Sequence, residues 1–424
     1  MKVLWLTNTP CGASSHLNLQ ILAGGWMTSL EQEMKGVADL ELAVCFFHNN
    51  TTETKFVLDR VTYYPIHDNN KSFFDKVVAK LSNTLTDHNL QGIKDVINDF
   101  KPDVIQLFGT ESGLGEIIAH TNIPVVTHLQ GLINPYVSAW FPKGISKSST
   151  AAHSKLRDVV FLRSLNKQYE FFVKMASREA GIIRSGRYFF GRTEWDERMV
   201  RIFNHKATYY HCDELLRRDF FINQWESSPS ALLKIVTIVK PNMYKGLEMV
   251  LEAASILKKN TSLTFQWVII GANQNSQAVL LFEKVKNLKF ADQSIVFKGG
   301  KDTAELIKEL KESDLFIHPS HIDNSPNSVC EAMLLGMPVI AGRVGGVPSL
   351  ITHNENGLLY NSHDPFELAG IILENAKDPA GLQLLGKNAR ETALQRHDPK
   401  TIVSTILSTY KKMMQESAGQ HSTV

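Results

Sequence analysis

The stretch 323–346, DNSPNSVCEAMLLGMPVIAGRVGG, decides how the chain is read. Ser325 is a good N-cap and Pro326 is pre-set for a first helical position, so a helix is predicted to start at this point. Its first amides, near Asn327, Ser328 and Val329, have no partner within a helix, and the helix dipole adds positive potential at the same end. Together they suit a phosphate. Glu331 falls on the same helical face, one turn on. A carboxylate there would repel a phosphate, but it can accept two hydrogen bonds from a vicinal diol such as a ribose. Ser-Pro begins many helices, and an early Glu also complements a dipole, so the neighbours have to decide the matter.

Outward from this stretch, short β-rich runs alternate with helical patterns. In the first half the runs at 2–8, 40–47, 102–108, 123–130 and 187–192 read as buried strands, with helices such as WMTSLEQEM and LQGIKDVINDF between them. A second series follows at 232–239, 264–270, 294–299, 314–320, 338–342 and 357–361. Strand–helix alternation of this kind predicts parallel sheets covered on both faces. Between the series the pattern loosens, and Ser-Pro-Ser at 228–230 reads as a linker. The predicted division is 1–205, 206–397 and a terminal helix over 398–424. Asp398 and Pro399 start that helix, and Ile402, Val403, Ile406, Leu407 and Tyr410 share one face that must bury against something. The tail from 415 reads as polar and frayed.

Composition narrows the function classes. The chain has 424 residues, 21% charged, with a net charge of +2, so two domains are expected and no nucleic-acid signature appears. The four cysteines lie far apart without a Cys-x-x-Cys pair, which suits a reducing compartment and argues against a zinc site or a disulfide framework. The first residues read as a strand rather than a signal peptide, and no window reads as a spanning helix, so a cytoplasmic location is expected. One bias is local. Residues 143–201 hold 13 Lys/Arg and 6 Asp/Glu, a net +7. Two readings stay open for it: a solvated helical face, or a surface that meets an anionic membrane or a lipid phosphate.

Three other stretches belong at the same sheet edges. KPNMYKG, 240–246, puts Lys240 and Lys245 on one tight loop after the first strand of the second series. Two ammonium groups could balance a diphosphate without a metal, and no Asp-x-Asp pair offers a divalent-ion site. Gly24 and Gly25 follow the first strand and its loop, where backbone could approach an anion closely. His128 ends a buried strand, where a histidine is as often structural as catalytic. The first strand is not followed by Gly-x-Gly-x-x-Gly, which disfavours a dinucleotide dehydrogenase.

Taken together, these motifs resemble the retaining glycosyltransferases of family 4, whose GT-B fold has two Rossmann-like domains facing across a cleft. The likeness extends over nearly the whole chain and is strongest over 313–360. There the family reads Pro-Ser, then Glu-x7-Glu-Ala-Met-Ala, then Gly-x-Pro-Val-Ile-Ala, then Gly-Gly, then Asn-Gly-x-Leu. The resemblance implies that Glu331 holds the donor ribose. Lys245, with Lys240 in the place of an Arg, would hold the diphosphate alongside Pro326, Asn327 and Ser328. Gly24 and Gly25 would form the loop beneath it. His128 would lie near the reacting face of the sugar, and Asp323, standing where a Glu is usual, would hold sugar hydroxyls. The terminal helix would cross back to the first domain. The implied activity is metal-independent hexosyl transfer, without a cofactor, from a nucleotide-diphospho-sugar to a saccharide or lipid-linked saccharide in envelope polysaccharide synthesis, in the cytoplasm or at the inner membrane face. A nucleotide-sugar epimerase on the same fold and a non-catalytic binder are the alternatives.

Overall fold

A computed structural model describes residues 1–17, 19, 25–48, 51–67, 87–153, 164–227 and 231–421. The expected Ser-Pro-Ser linker at 228–230 and Gly24 lie outside the described residues. The chain forms two compact units. The first comprises Met1–Asn134, Phe171–Arg217 and His397–Val424, and the second Pro135–Glu170 and Arg218–Arg396.

The first unit is built on an eight-stranded sheet in the order β3-β4-β2-β1-β5-β6-β7-β8. Its strands are β1 (Lys2–Leu6), β2 (Glu41–Phe47), β3 (Phe56–Leu58), β4 (Val61–Ile66), β5 (Val104–Phe108), β6 (Val125–His128), β7 (Tyr188–Gly191) and β8 (Thr208–His211). All neighbours pair in parallel except β3 with β4. The central strands are buried along their length, as near-continuous runs such as VIQLF require when helices cover both faces. Leu4, Leu6, Ile105 and Leu107 pack with Ile93 and Phe100 of the helix Asp87–Phe100.

The second unit carries a six-stranded, all-parallel sheet in the order β11-β10-β9-β12-β13-β14. Its strands are β9 (Leu233–Ile238), β10 (Phe265–Ile270), β11 (Ile295–Gly299), β12 (Leu315–His318), β13 (Val339–Gly342) and β14 (Leu358–Tyr360). All eleven runs read as strands from the sequence form strands. Missed were the β3–β4 hairpin and β8, whose TYYH is too short and polar to show an apolar pattern. The units therefore part company with the expected division in two places. Residues 206–217 stay with the first unit because β8 extends its sheet beside β7. Residues 135–170 group with the second, where the rings of Tyr136 and Trp140 lie 5.0 and 5.6 Å from that of Tyr244.

The terminal helix, Pro399–His421, belongs to the first unit. Asp398 caps it through the amide of Thr401 at 2.8 Å. Ile402, Ile406, Tyr410 and Met413 are buried, and the helix continues through most of the tail expected to fray. Tyr410 donates to Gln106 Oε1 from β5 and accepts from Trp5 Nε1 of β1 at 3.4 Å, so the helix is tied to the middle of the sheet. No helix among the described residues is long and apolar enough to cross a membrane.

Tyr410 has no exposed surface. Truncating it to alanine leaves a cavity and two buried polar groups short of a partner. Tyr410→Ala is expected to lower stability by about 3–5 kcal/mol in urea denaturation. A loss under about 1 kcal/mol would mean that the helix is not part of the cooperative core.

Candidate functional site

In an open parallel sheet, ligands bind beyond the strand ends at the place where strand order reverses. In the second unit that place lies between β9 and β12. The chain leaves β9 into KPNMYKG and leaves β12 into the loop that opens DNSPNS. The topology thus brings Lys240, Lys245, Asp323 and the helix after Pro326 to one sheet edge.

The helix spans Asn327–Leu335, with Pro326 rather than Ser325 as its N-cap. Pro326 has extended backbone (φ −70°, ψ 115°), and its carbonyl accepts from Val329 at 2.9 Å and Cys330 at 3.2 Å. Ser325 Oγ lies instead 3.7 Å from Cys330 Sγ. Val329 N–H is therefore satisfied. The amides of Asn327 and Ser328, both half-exposed residues, precede the first helical acceptor. Glu331 is 5% exposed and sits one turn in, as expected.

Lys245 ends a short turn, Met243–Lys245, whose Gly246 adopts φ +73°. A Cβ on Gly246 would come within 1.9 Å of the Pro319 carbonyl, so only glycine lets this turn lie against the end of β12. Lys245 Nζ then reaches Asp323 Oδ2 at 2.6 Å, with the two side chains 19% and 8% exposed. His318 Nε2 lies 3.1 Å from the same oxygen, and Tyr136 donates to Oδ1 at 3.4 Å. Burial alone would raise the pKa of Asp323. The Lys245 ammonium and His318 overcome it and hold the carboxyl well below the usual carboxylate range. Burial likewise disfavours the charge of Lys245, and Asp323 restores it, leaving its pKa above the ordinary lysine value. Both oxygens of Asp323 are thus engaged. The residue expected to read sugar hydroxyls acts here as the counter-ion of Lys245. Lys240, by contrast, is exposed.

The Gly-Gly of the opening stretch has a steric role. A Cβ on Gly345 would lie 1.9 Å from the Asp323 carbonyl, and Gly346 N–H donates to that carbonyl at 3.0 Å. A second support went unnoticed in the sequence. His321 N–H donates to the Tyr244 carbonyl at 2.9 Å, its Nε2 contacts Glu248 Oε1, and its Nδ1 lies 2.9 Å from Ser362 Oγ. One buried histidine thereby ties the Asp323 loop to the Lys245 loop. The run HPSHID carries the only local hint of it.

The first unit treats its expected residues differently. Gly25 opens the helix Gly25–Met34 with φ +37°. His128 is wholly buried between Trp26, Phe108 and Phe190, and its Nδ1 lies 3.1 Å from Gln106 Nε2. Burial, aided by the charge of Arg192, pushes its pKa well down, so the ring is neutral. With no exposed surface, it has the structural place among the two that its position allowed. The basic segment 143–201 is partly neutralised. Lys147 and Lys167 share Glu170, Arg187 pairs with Glu416, Arg198 with Glu194, Arg201 with Glu197, and Arg192 with buried Glu214.

Residues 224–392 match the family described as glycosyl transferases group 1. Among curated relatives, the chain is 29% identical over 178 residues to the amylovoran biosynthesis glycosyltransferase AmsK of Erwinia amylovora, covering 39% of this chain and 42% of that protein. It is 31% identical over 137 residues to an N-acetyl-alpha-D-glucosaminyl L-malate synthase of Bacillus anthracis, covering 32% and 35%. These matches span less than half the length of either relative. Among solved structures, sucrose-phosphate synthase from Thermosynechococcus elongatus superposes with a TM-score of 0.72 at 15% identity, over 98% of this chain and all of that one. Anabaena Alr3699/HepE, solved in complex with UDP and glucose, gives 0.63 at 17% identity over 97% and 99%. The chain thus has the GT-B fold, and its second unit carries a group 1 glycosyltransferase domain.

The ion pair makes a pH prediction. A carboxyl held below its unfolded pKa stabilises the fold fully above that unfolded value, and the contribution is lost as pH falls toward the folded one. Asp323→Asn also strands a buried ammonium, and is expected to cost about 3–5 kcal/mol at neutral pH. The gap between the two proteins should narrow as pH drops below about 4, the unfolded aspartate value. Urea unfolding at several pH values measures it, and a gap independent of pH would remove Asp323 as the counter-ion.

Proposed function

We propose that this protein is a retaining glycosyltransferase that moves a sugar from a nucleotide-diphospho-sugar to a hydroxyl acceptor. The observation that carries the reading is the placement of Lys245 and of the amides of Asn327 and Ser328 at one sheet edge, the strand-order reversal of the second sheet. An ammonium has three donors, and Asp323 takes one of them. The others remain for a diphosphate, with exposed Lys240 as a second cation. As the glycosidic bond stretches, negative charge grows on the β-phosphate oxygen. Donors already fixed in place stabilise that charge more in the transition state than in the ground state. Glu331 accepts the ribose diol. His128 contributes from within the first sheet as a buried support. Asp323 Oδ1, which among the described residues accepts only from Tyr136 at 3.4 Å, keeps a lone pair for a sugar hydroxyl. No resident metal or cofactor is called for, because the cations at the site are side chains.

The acceptor belongs to the first unit. A saccharide or lipid-linked saccharide of an exported polysaccharide fits the likeness to AmsK, with the net positive charge of the segment 143–201 suiting an anionic surface on the inner side of the membrane. The engagement of Asp323 by Lys245 favours one second reading, a donor-binding protein without transfer. Donor binding without turnover, with cell extracts supplied as acceptor, would select it.

A thermal-shift panel of UDP-, GDP- and ADP-sugars tests the donor site, and saturation at about 100 times Kd should add about 2.7 kcal/mol of stability. Glu331→Ala is expected to weaken donor binding about tenfold or more, the loss of hydrogen bonds to a charged group. Lys245→Ala is expected to lower turnover by about a hundredfold with a smaller effect on donor binding. Treatment with EDTA should leave turnover unchanged. A Lys245→Ala enzyme at wild-type rate would contradict the leaving-group role.

A further inference from the structure

Beyond the strand ends of the second sheet, a serine, a histidine and a glutamate fall into one hydrogen-bonded line. His321 follows β12, Ser362 follows β14, and Glu248 lies in the first turn of the helix Leu247–Asn260. His321 Nδ1 lies 2.9 Å from Ser362 Oγ, and its Nε2 contacts Glu248 Oε1. Glu248 and His321 are buried, whereas Ser362 is half-exposed.

The glutamate end of the line fixes the ring proton. An ionised carboxylate only accepts hydrogen bonds, so Glu248 requires the proton of His321 on Nε2. The first turn of a helix favours negative charge, which suits a carboxylate at this position. Nδ1 is then left with a lone pair, and the Ser362 hydroxyl donates to it. A hydroxyl, a base and a group that orients the base thus stand within reach of one another, the arrangement that activates a nucleophile.

Two features exceed what a tie between loops requires. Glu248 Oε2 is buried and has no partner among the described residues, so the carboxylate commits its hydrogen bonding there to His321 alone. Glu179 of the first unit, a structural acid, has both oxygens satisfied, by Thr110 and Ile133 on one and Asn134 on the other. The second feature is His363, whose φ of +69° is uncommon for a residue with a side chain. Turns that enter this region bring successive backbone N–H groups to one side, where they receive an anion. Those of Ser362 and His363 have no acceptor among the described residues. The His363 ring stacks on that of His321 with centroids 4.0 Å apart. Burial, with His321 beside it, holds the His363 pKa below the ordinary histidine value against the pull of Glu248, so a neutral ring covers the base.

We propose that Ser362 is an activated nucleophile that takes an acyl group from an ester, with His321 as its base and Glu248 as the residue that positions the base. Oγ bonds to the ester carbonyl carbon, and its proton passes to His321 Nδ1. The N–H groups of Ser362 and His363 receive the negative charge on the carbonyl oxygen. The bond from that carbon to the alcohol oxygen then breaks, and the alcohol leaves with the proton from Nδ1. Water attacks the acyl group in turn, giving its proton to Nδ1, and the acid departs as Ser362 is restored. The activity needs no sugar nucleotide, so it stands or falls apart from the transferase reading.

4-Nitrophenyl acetate is the probe. The wild-type protein is expected to release a burst of about one nitrophenolate per chain, the mark of an acyl intermediate, and peptide mass spectrometry should place the acetyl group on Ser362. Exposed Ser408, whose hydroxyl donates to the Thr405 carbonyl, serves as an internal reference. Ser362 should be acetylated about a hundredfold or more faster, within the range of general-base assistance. Ser362→Ala should lose the burst while still unfolding cooperatively in urea. Glu248→Gln can turn an amide N–H toward Nε2 and so favour the other tautomer, and is expected to slow acetylation by about a hundredfold or more. Glu248→Asp, which keeps the charge, should recover part of the rate. Acetylation of Ser362 no faster than that of Ser408, or a burst that survives Ser362→Ala, would overturn the proposal. Should the variants fail to fold, the ratio of the two serine rates in the wild-type protein decides.

Discussion

The contact between Lys245 and Asp323 is the constraint on which the second unit's site depends. Two opposite charges are taken largely out of water there, where burial disfavours each charge and the other group favours it. The pair needs two loops from non-adjacent strands to meet at 2.6 Å. That need explains the features around it. Glycine at 246 lets one loop lie against the end of β12, glycine at 345 lets a third loop press on the backbone of Asp323, and His321 stitches the first two loops together. The result is an ammonium held still while part of it remains open, the arrangement an anion-binding site requires.

The sheets were legible because their strands are buried on both faces and so appear as unbroken apolar runs; VIQLF and FQWVII could hardly be anything else. The strand TYYH at the sheet margin lacks that signature, and its omission left the expected boundary short of it, at 205. The helix after Pro326 was legible from local chemistry to within two residues; its start slipped because proline is compatible with either position. Contacts between distant residues were not legible. Nothing near Asp323 announces that Tyr136, 187 residues earlier, will reach its other oxygen. Nor does a strand-end histidine disclose whether aromatic rings will close over it, as they do over His128. Pattern fixes which elements exist, whereas the state of a titratable group depends on what packs against it from elsewhere in the chain.

The helix that carries Tyr410 has a consequence for folding. The hydroxyl that completes the Trp5–Tyr410–Gln106–His128 chain comes from 304 residues beyond Gln106. The strands β9 to β14, a whole second sheet, lie in the sequence between the two segments so joined. Closing so long a loop costs chain entropy before the contact returns anything, so the first sheet gains its last layer late although its strands come first in the sequence.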